Sequence, residues 1–475
     1  MRLNDVKIRH HLNCSLLKAL CLAVLIFLSS YPGIAQSGRY LEAALKAESW
    51  LSTLQRIDSK GISWPDVRDS TSSTPELYSG NSGIILFYLE LYHATGEGRF
   101  LRVAEKATDR LIALLPNSWD ENNTGLYTGA SGLVFVLHEA DKMFRKKSYG
   151  MAARQVLDSL RAFVNKYGDS SSVANDIIYG YAGIGLTFLY AKKEGFMDDG
   201  LDQASKVGAI LNKRMLSSSK GVARWPMLMK DTANHFFMPN FSHGTAGVAY
   251  FMARLYRETG LQMFFSDADQ AARYLAGISS SQGMIRHAEP DPAAMDRYYV
   301  GWCHGPAGTA RLYHELFTQT GLPYWKEQLG KAAGSVINSG IPEKPTSGYW
   351  NNVGFCCGNA GIAAFYLDMY GIYRDSIYLQ FAKRVLDDLL QKSTSHGKGL
   401  QWVQAENRSR PGLLQAQTGL MQGVAGIGLS LLRADAVEKG RSNLIRLPDD
   451  PFDDVTTPSF CATFNTCIKG ATSLH

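Results

Sequence analysis

Two short segments carry the most reactive side chains of this chain. "GWCHGPAG" spans 301–308 and "GFCCGNAG" spans 354–361, and each sets cysteine directly ahead of a G-x-x-G step. Of seven cysteines in 475 residues, Cys14 and Cys21 fall in an N-terminal leader, and Cys461 and Cys467 in "CATFNTC" near the other end. In an oxidising compartment disulfides are the ordinary expectation, and the last two are spaced to form one. Cys303, Cys356 and Cys357 make an odd set. Adjacent cysteines bridge only through strained geometry, and joining either to Cys303 leaves a thiol over. A metal ion uses all three. Zinc suits three sulfurs, and three protein ligands leave one tetrahedral position open, which is the arrangement of a catalytic site.

What must position these thiols is a repeat. The G-x-x-G step occurs seven times, with first glycines Gly80, Gly129, Gly180, Gly244, Gly305, Gly358 and Gly423. The period is about 50 to 65 residues, room for two helices and their connections. Each step opens an apolar stretch, as in "YSGNSGIILFYLELY" and "CCGNAGIAAFYLDMY", whose small residues permit close helix approach. Ahead of each step runs an amphipathic stretch, such as "FLRVAEKATDRLIALL" or "YLQFAKRVLDDLL", with charge on one face. The apolar helices suit an inner ring and the amphipathic ones an outer ring. The expected fold is therefore all-α, an (α/α)7 toroid of seven helical hairpins. A solenoid is the alternative, but neither terminal hairpin carries a polar cap, and closing the ring covers both ends. Equivalent inner helices place all seven steps at one end of the barrel. The three thiols then lie at helix N-termini, where partial positive charge favours thiolate.

These seven hairpins, with "WCHG" and "CCG", resemble the lanthionine synthetase C-like family, the cyclases that close thioether rings in lanthipeptides. The likeness covers 40–434. It implies an (α/α)7 barrel with zinc at one end, Cys303 as the tryptophan-preceded ligand and Cys356 as the cysteine of the second metal motif. That motif is commonly Cys-His-Gly; Cys357 stands at the histidine, as in a Cys-Cys-Gly subgroup. Three thiolates give the centre net negative charge and leave a fourth, substrate thiolate more nucleophilic. His304 is an alternative third ligand. The resemblance further implies that His243, in "FSHGTAG", handles protons and that Asp176, in "NDIIYGYAG", is held near it. Read without the family, His243 is equally a satisfied histidine at a helix start and Asp176 a helix-terminal acceptor. An arginine that the family places before the first zinc cysteine has no counterpart in register: Tyr299 stands there, with Arg297 nearby.

The function expected from the resemblance is a zinc-dependent cyclase adding a peptide cysteine thiolate to dehydroalanine or dehydrobutyrine. No kinase-like or dehydratase-like segment is present, so a dehydrated precursor peptide from a separate dehydratase is the expected partner. Three rivals remain: addition of a small thiol such as glutathione to an electrophile, a non-catalytic zinc-containing peptide- or thiol-binding protein, and a sugar-active toroid. The last needs paired carboxylates, and the glycine motifs offer Asp176 alone. A charge of +6 over this length, with 45% hydrophobic and 19% charged residues, makes no basic stripe, which excludes nucleic acid as a partner.

Residues 1–35 read as a signal peptide. Arg2, Lys7, Arg9 and Lys18 precede the apolar run Ala19 to Leu28, and Gly33 and Ala35 form a small-residue cleavage pattern before Gln36. The expected location is periplasmic or secreted. The apolar run is shorter than the roughly 20 residues of a membrane helix, so a membrane contact arises only if the leader stays uncleaved. The toroid is expected over 40–434, and 448–475, lacking any apolar period, as a flexible tail.

Overall fold

The computed structural model describes residues 38–116, 118–219, 221–230, 237–289, 297–350, 352–405 and 408–452. Fourteen α-helices dominate it, and seven of them begin at the G-x-x-G steps. These inner helices are α2 (Asn81–Thr95), α4 (Ala130–Phe144), α6 (Tyr181–Lys193), α8 (Thr245–Thr259), α10 (Pro306–Thr320), α12 (Asn359–Tyr373) and α14 (Val424–Glu438). The outer helices are α1 (Arg39–Ser52), α3 (Gly98–Ala113), α5 (Lys147–Tyr167), α7 (Gly200–Arg214), α9 (Gln262–Ile278), α11 (Pro323–Ile337) and α13 (Ser376–Gln391). Inner helices are buried on nearly every side, as in the unbroken run from Asn81 to Leu91, whereas each outer helix buries one stripe. The core lies between the two rings.

Six inner helices, α2 to α12, each pack most closely along the outer helix that follows, not the one ahead. Five inner helices stop at a left-handed residue, namely Gly96, Arg145, Gly260, Gly321 and Arg374, and the chain turns at once into its outer partner. The seventh pair closes the ring: α14, last in sequence, packs on α1, the first. Four two-stranded antiparallel ribbons interrupt the long connections, among them β1 (Arg56–Asp58) with β2 (Gly61–Ser63) and β5 (Thr394–His396) with β6 (Gly399–Gln401).

Closure is also written in the backbone. Loop by loop, residues two or three places ahead of the first glycine hydrogen-bond to the next loop: Tyr78 N–H to Tyr127 O, Tyr127 to Ile178, Ile177 to Ser242, Ser242 to Cys303, Cys303 to Cys356, Cys356 to Met421, and Met421 back to Tyr78. These seven bonds, 2.8 to 3.2 Å long, form an unbroken annulus. A solenoid has no counterpart to the final bond.

The expected tail at 448–475 needs correction at its start. Asp449, Asp450 and Phe452 are buried within the barrel. The reason is charge: inner-helix residues Arg311, Asp368 and Arg433 are buried, Asp450 partners the two arginines, and Arg446, just ahead of the segment, partners Asp368. Residues 453–475 lie outside the described residues, and with them Cys461 and Cys467. So does the leader over 1–35. Among the described residues no helix is long and apolar enough to cross a membrane.

Candidate metal centre and its surroundings

Two loops deliver the thiols, and glycine lets them meet. Gly305 and Gly358 cap α10 and α12 in extended conformation, so the residues just ahead of them fold back over each first helical turn. A Cβ on Gly308 would stand 1.9 Å from the Trp302 carbonyl, so the loop lies where only glycine fits. Gly301 serves the contact between loops: a Cβ there would come within 2.8 Å of the Cys357 backbone. Together with the Cys303 N–H to Cys356 carbonyl bond, this approach brings three sulfurs together.

Cys303 Sγ lies 2.9 Å from Cys357 Sγ, which lies 3.4 Å from Cys356 Sγ. Both separations exceed the roughly 2.05 Å of a disulfide, and all three are free thiols. Cys303 and Cys356 are 2% and 3% exposed, while Cys357 is half-buried. Their ligand atoms all lie within 4.8 Å of one another, the group of potential metal donors found among the described residues. Three converging soft donors fit a metal ion.

Electrostatics within the cluster is uneven. Burial pushes the Cys356 thiol up, but hydrogen bonds from Cys303, Cys357 and Tyr78 outweigh it and hold Cys356 well below the ordinary thiol range. Cys303 moves the other way, raised by burial and by donating to its neighbours. Tyr78 is raised by burial and then by the negative cysteines beside it. The phenol therefore stays protonated, and its oxygen accepts from Gln422 Nε2 at 3.0 Å. Sequence reading missed Tyr78, although it stands two places before Gly80 as Cys303 does before Gly305.

Beside the cluster, His243 and Asp176 form a pair. The Ile177 N–H to Ser242 carbonyl bond sets the third loop against the fourth, and Asp176 Oδ2 then meets His243 Nδ1 at 2.7 Å. Asp176 Oδ1 accepts the Tyr179 N–H at 2.9 Å, so the carboxylate is fixed at both oxygens. Its side chain is fully buried, that of His243 is 19% exposed, and Tyr179 stacks on the imidazole with centroids 5.6 Å apart. His243 is near enough to Cys356 that a protonated imidazole there would favour the thiolate.

His304, the alternative ligand, lies outside the group of sulfurs. Its ring packs edge-on against His287 at 4.5 Å and tilted against His243 at 5.6 Å. Burial, then the two neighbouring imidazoles, push it well below its ordinary pKa, so it stands neutral. Tyr299 packs on His304 and on Trp350 and extends the aromatic cluster around His304. The Arg297 backbone carbonyl accepts the His287 N–H.

A closed α/α toroid with three convergent thiols and an Asp-His pair at the N-terminal end of its inner helices defines a narrow class. The chain matches the lanthionine synthetase C-like protein family over residues 71–444, and it belongs to that family. It is similar to the glutathione S-transferase LANCL1 of Danio rerio, 22% identical over 344 residues that cover 71% of this chain and 78% of the relative. Among solved structures, nisin cyclase has the same fold, with a TM-score of 0.61 at 14% identity, covering 87% of this chain and 98% of that one.

Proposed function

We propose that this protein is a zinc-dependent enzyme that adds a thiol to the β-carbon of a dehydroalanine or dehydrobutyrine residue, and that the thiol is a cysteine of the same peptide, so that a lanthionine ring closes. The observation that carries this reading is the three-thiol cluster set against an aspartate-anchored histidine. Cys303, Cys356 and Cys357 would hold the ion. When bound, zinc supplies an electrophilic position that lowers the pKa of an incoming thiol.

The chain's own residues do the rest. With Nδ1–H donating to Asp176, a neutral His243 presents an unprotonated Nε2. That nitrogen takes the proton the thiol gives up; the sulfur bonds to the β-carbon while the C=C π pair moves to the α-carbon and its carbonyl. His243 then returns the proton to the α-carbon, so atoms and charge balance over the cycle. Asp176 fixes the tautomer and stabilises the transient imidazolium. The aromatic rings of Tyr179 and His304, stacked or tilted beside His243, and of Tyr299, tilted on His304, would give the peptide apolar surface next to the reacting atoms.

A second reading uses the same chemistry with glutathione as the thiol, and the name of the LANCL1 relative favours it. A dehydroalanine-containing peptide that also carries a cysteine, incubated with and without glutathione, separates them by mass. Loss of the free thiol at unchanged peptide mass supports ring closure; a gain of one glutathione supports the second reading. No addition by zinc-loaded protein in either arm would leave a thiol-binding protein. We further propose export after cleavage near Ala35, which an intact mass of the native protein beginning at Gln36 would support and one retaining Met1 would contradict.

A further inference from the structure

The segment that follows α14 runs through the barrel. It enters at the end opposite the cysteines, where Glu90, late in α2, accepts the backbone N–H of Leu444 at 3.2 Å and of Ile445 at 2.8 Å. Arg446 and Asp450 then join inner-helix residues Asp368, Arg433 and Arg311 in a buried network of three guanidinium groups and, with Asp449, three carboxylates. At its summit Asp449, fully buried, uses both carboxylate oxygens. Oδ1 accepts the Tyr127 hydroxyl at 3.0 Å and Oδ2 accepts the Trp302 indole N–H at 3.2 Å.

Trp302 is bonded in sequence to Cys303. Its indole, 1% exposed, packs edge-on between Tyr127 at 5.2 Å and Phe241 at 5.8 Å. Backbone hydrogen bonds tie Cys303 to its neighbouring loops, ring packing confines the indole, and Asp449 supplies the acceptor that sets the direction of its N–H. A buried indole N–H left without an acceptor is unfavourable, so the loop would shift to find one if Asp449 were gone.

We propose that Asp449 is a positioning residue for the Cys303 thiol, acting through Trp302, and that residues 444–452 form an internal strap that holds the metal loop from beneath. This rests on the reading of the three thiols as metal ligands. Partners one shell beyond a metal's ligands commonly change affinity by about 10–100-fold.

The test uses the full chain and the variants D449A, D449N, W302F and D449A/W302F, with two readouts. In competition with a zinc chelator, D449A and W302F should each lose about tenfold in zinc affinity, and the double variant no more than either alone. D449N, whose amide oxygen still accepts the indole N–H, should stay near wild type. In metal-free protein, Cys303 should react with a small methanethiosulfonate about tenfold faster in D449A than in wild type, which tests the strap even if the chain binds no zinc. Wild-type values for W302F in both readouts, losses that multiply in the double variant, or a D449N as impaired as W302F would overturn the proposal. The W302F and D449N arms decide it should D449A fail to fold.

Discussion

Cys357 concentrates the chemistry of the site in one side chain. It is half-buried where its two partners are buried, and it touches both. Purified protein should carry about one zinc per chain, and Cys→Ala at 303, 356 or 357 should each remove most of it, as elemental analysis will show. Cys357→His should retain the ion, since imidazole is the donor more common at that place. Full zinc in Cys357→Ala would move the third ligand to another group, His304 first among them. The three cysteines and His243 are legible in sequence because they share one register, one or two places before a glycine. Their neighbours are not. Tyr78 reaches Cys356 from the first loop, 278 positions earlier in the chain, and no local pattern encodes a contact that ring closure creates.

The elements owe their placement to two small devices. One is the second glycine of each step, where the loop's own carbonyl occupies the space of a Cβ. Gly308→Ala should cost about 1–3 kcal/mol in denaturant unfolding and weaken zinc retention, because the displaced carbonyl belongs to Trp302, next to Cys303. The other device is a tryptophan beyond an outer helix that satisfies one of its last carbonyls. Trp64, Trp225 and Trp402 donate their indole N–H to Leu51, Leu211 and Leu389 at 2.7 to 3.0 Å. Trp402→Phe should therefore lose about 1–2 kcal/mol while leaving zinc content unchanged. Amphipathic pattern located both rings of helices. It could not say which outer helix packs along which inner one, because a buried face does not name its neighbour; the left-handed stops at Gly96, Gly260 and Gly321 carry that information instead.

At the scale of the molecule, first and last elements depend on one another. Trp50 is fully buried in α1, the helix on which α14 closes the ring. Trp50→Ala should cost about 3–5 kcal/mol and lower the stability of the whole toroid in a single transition, checked by calorimetry. The polar interior was also present in the sequence and easily passed over. Seven places after the second glycine of each step stand Glu90, Glu139, Tyr190, Arg254, Glu315, Asp368 and Arg433, a polar ring within otherwise apolar helices. Such a ring requires partners inside the barrel, and "RLPDDPF" supplies several of them. Lacking any helical period, that segment reads as tail when it is viewed alone.

The central claim is that a metal-held thiol and an aspartate-anchored histidine act together in addition and protonation. The most direct measurement is the rate of thiol addition to a dehydroalanine peptide by His243→Asn, followed by mass in deuterated water, with zinc content measured on the same sample. The account predicts full zinc, a rate lower by about 10²–10⁴-fold, and deuterium at the α-carbon in wild-type product. An unchanged rate in the zinc-loaded variant would contradict it.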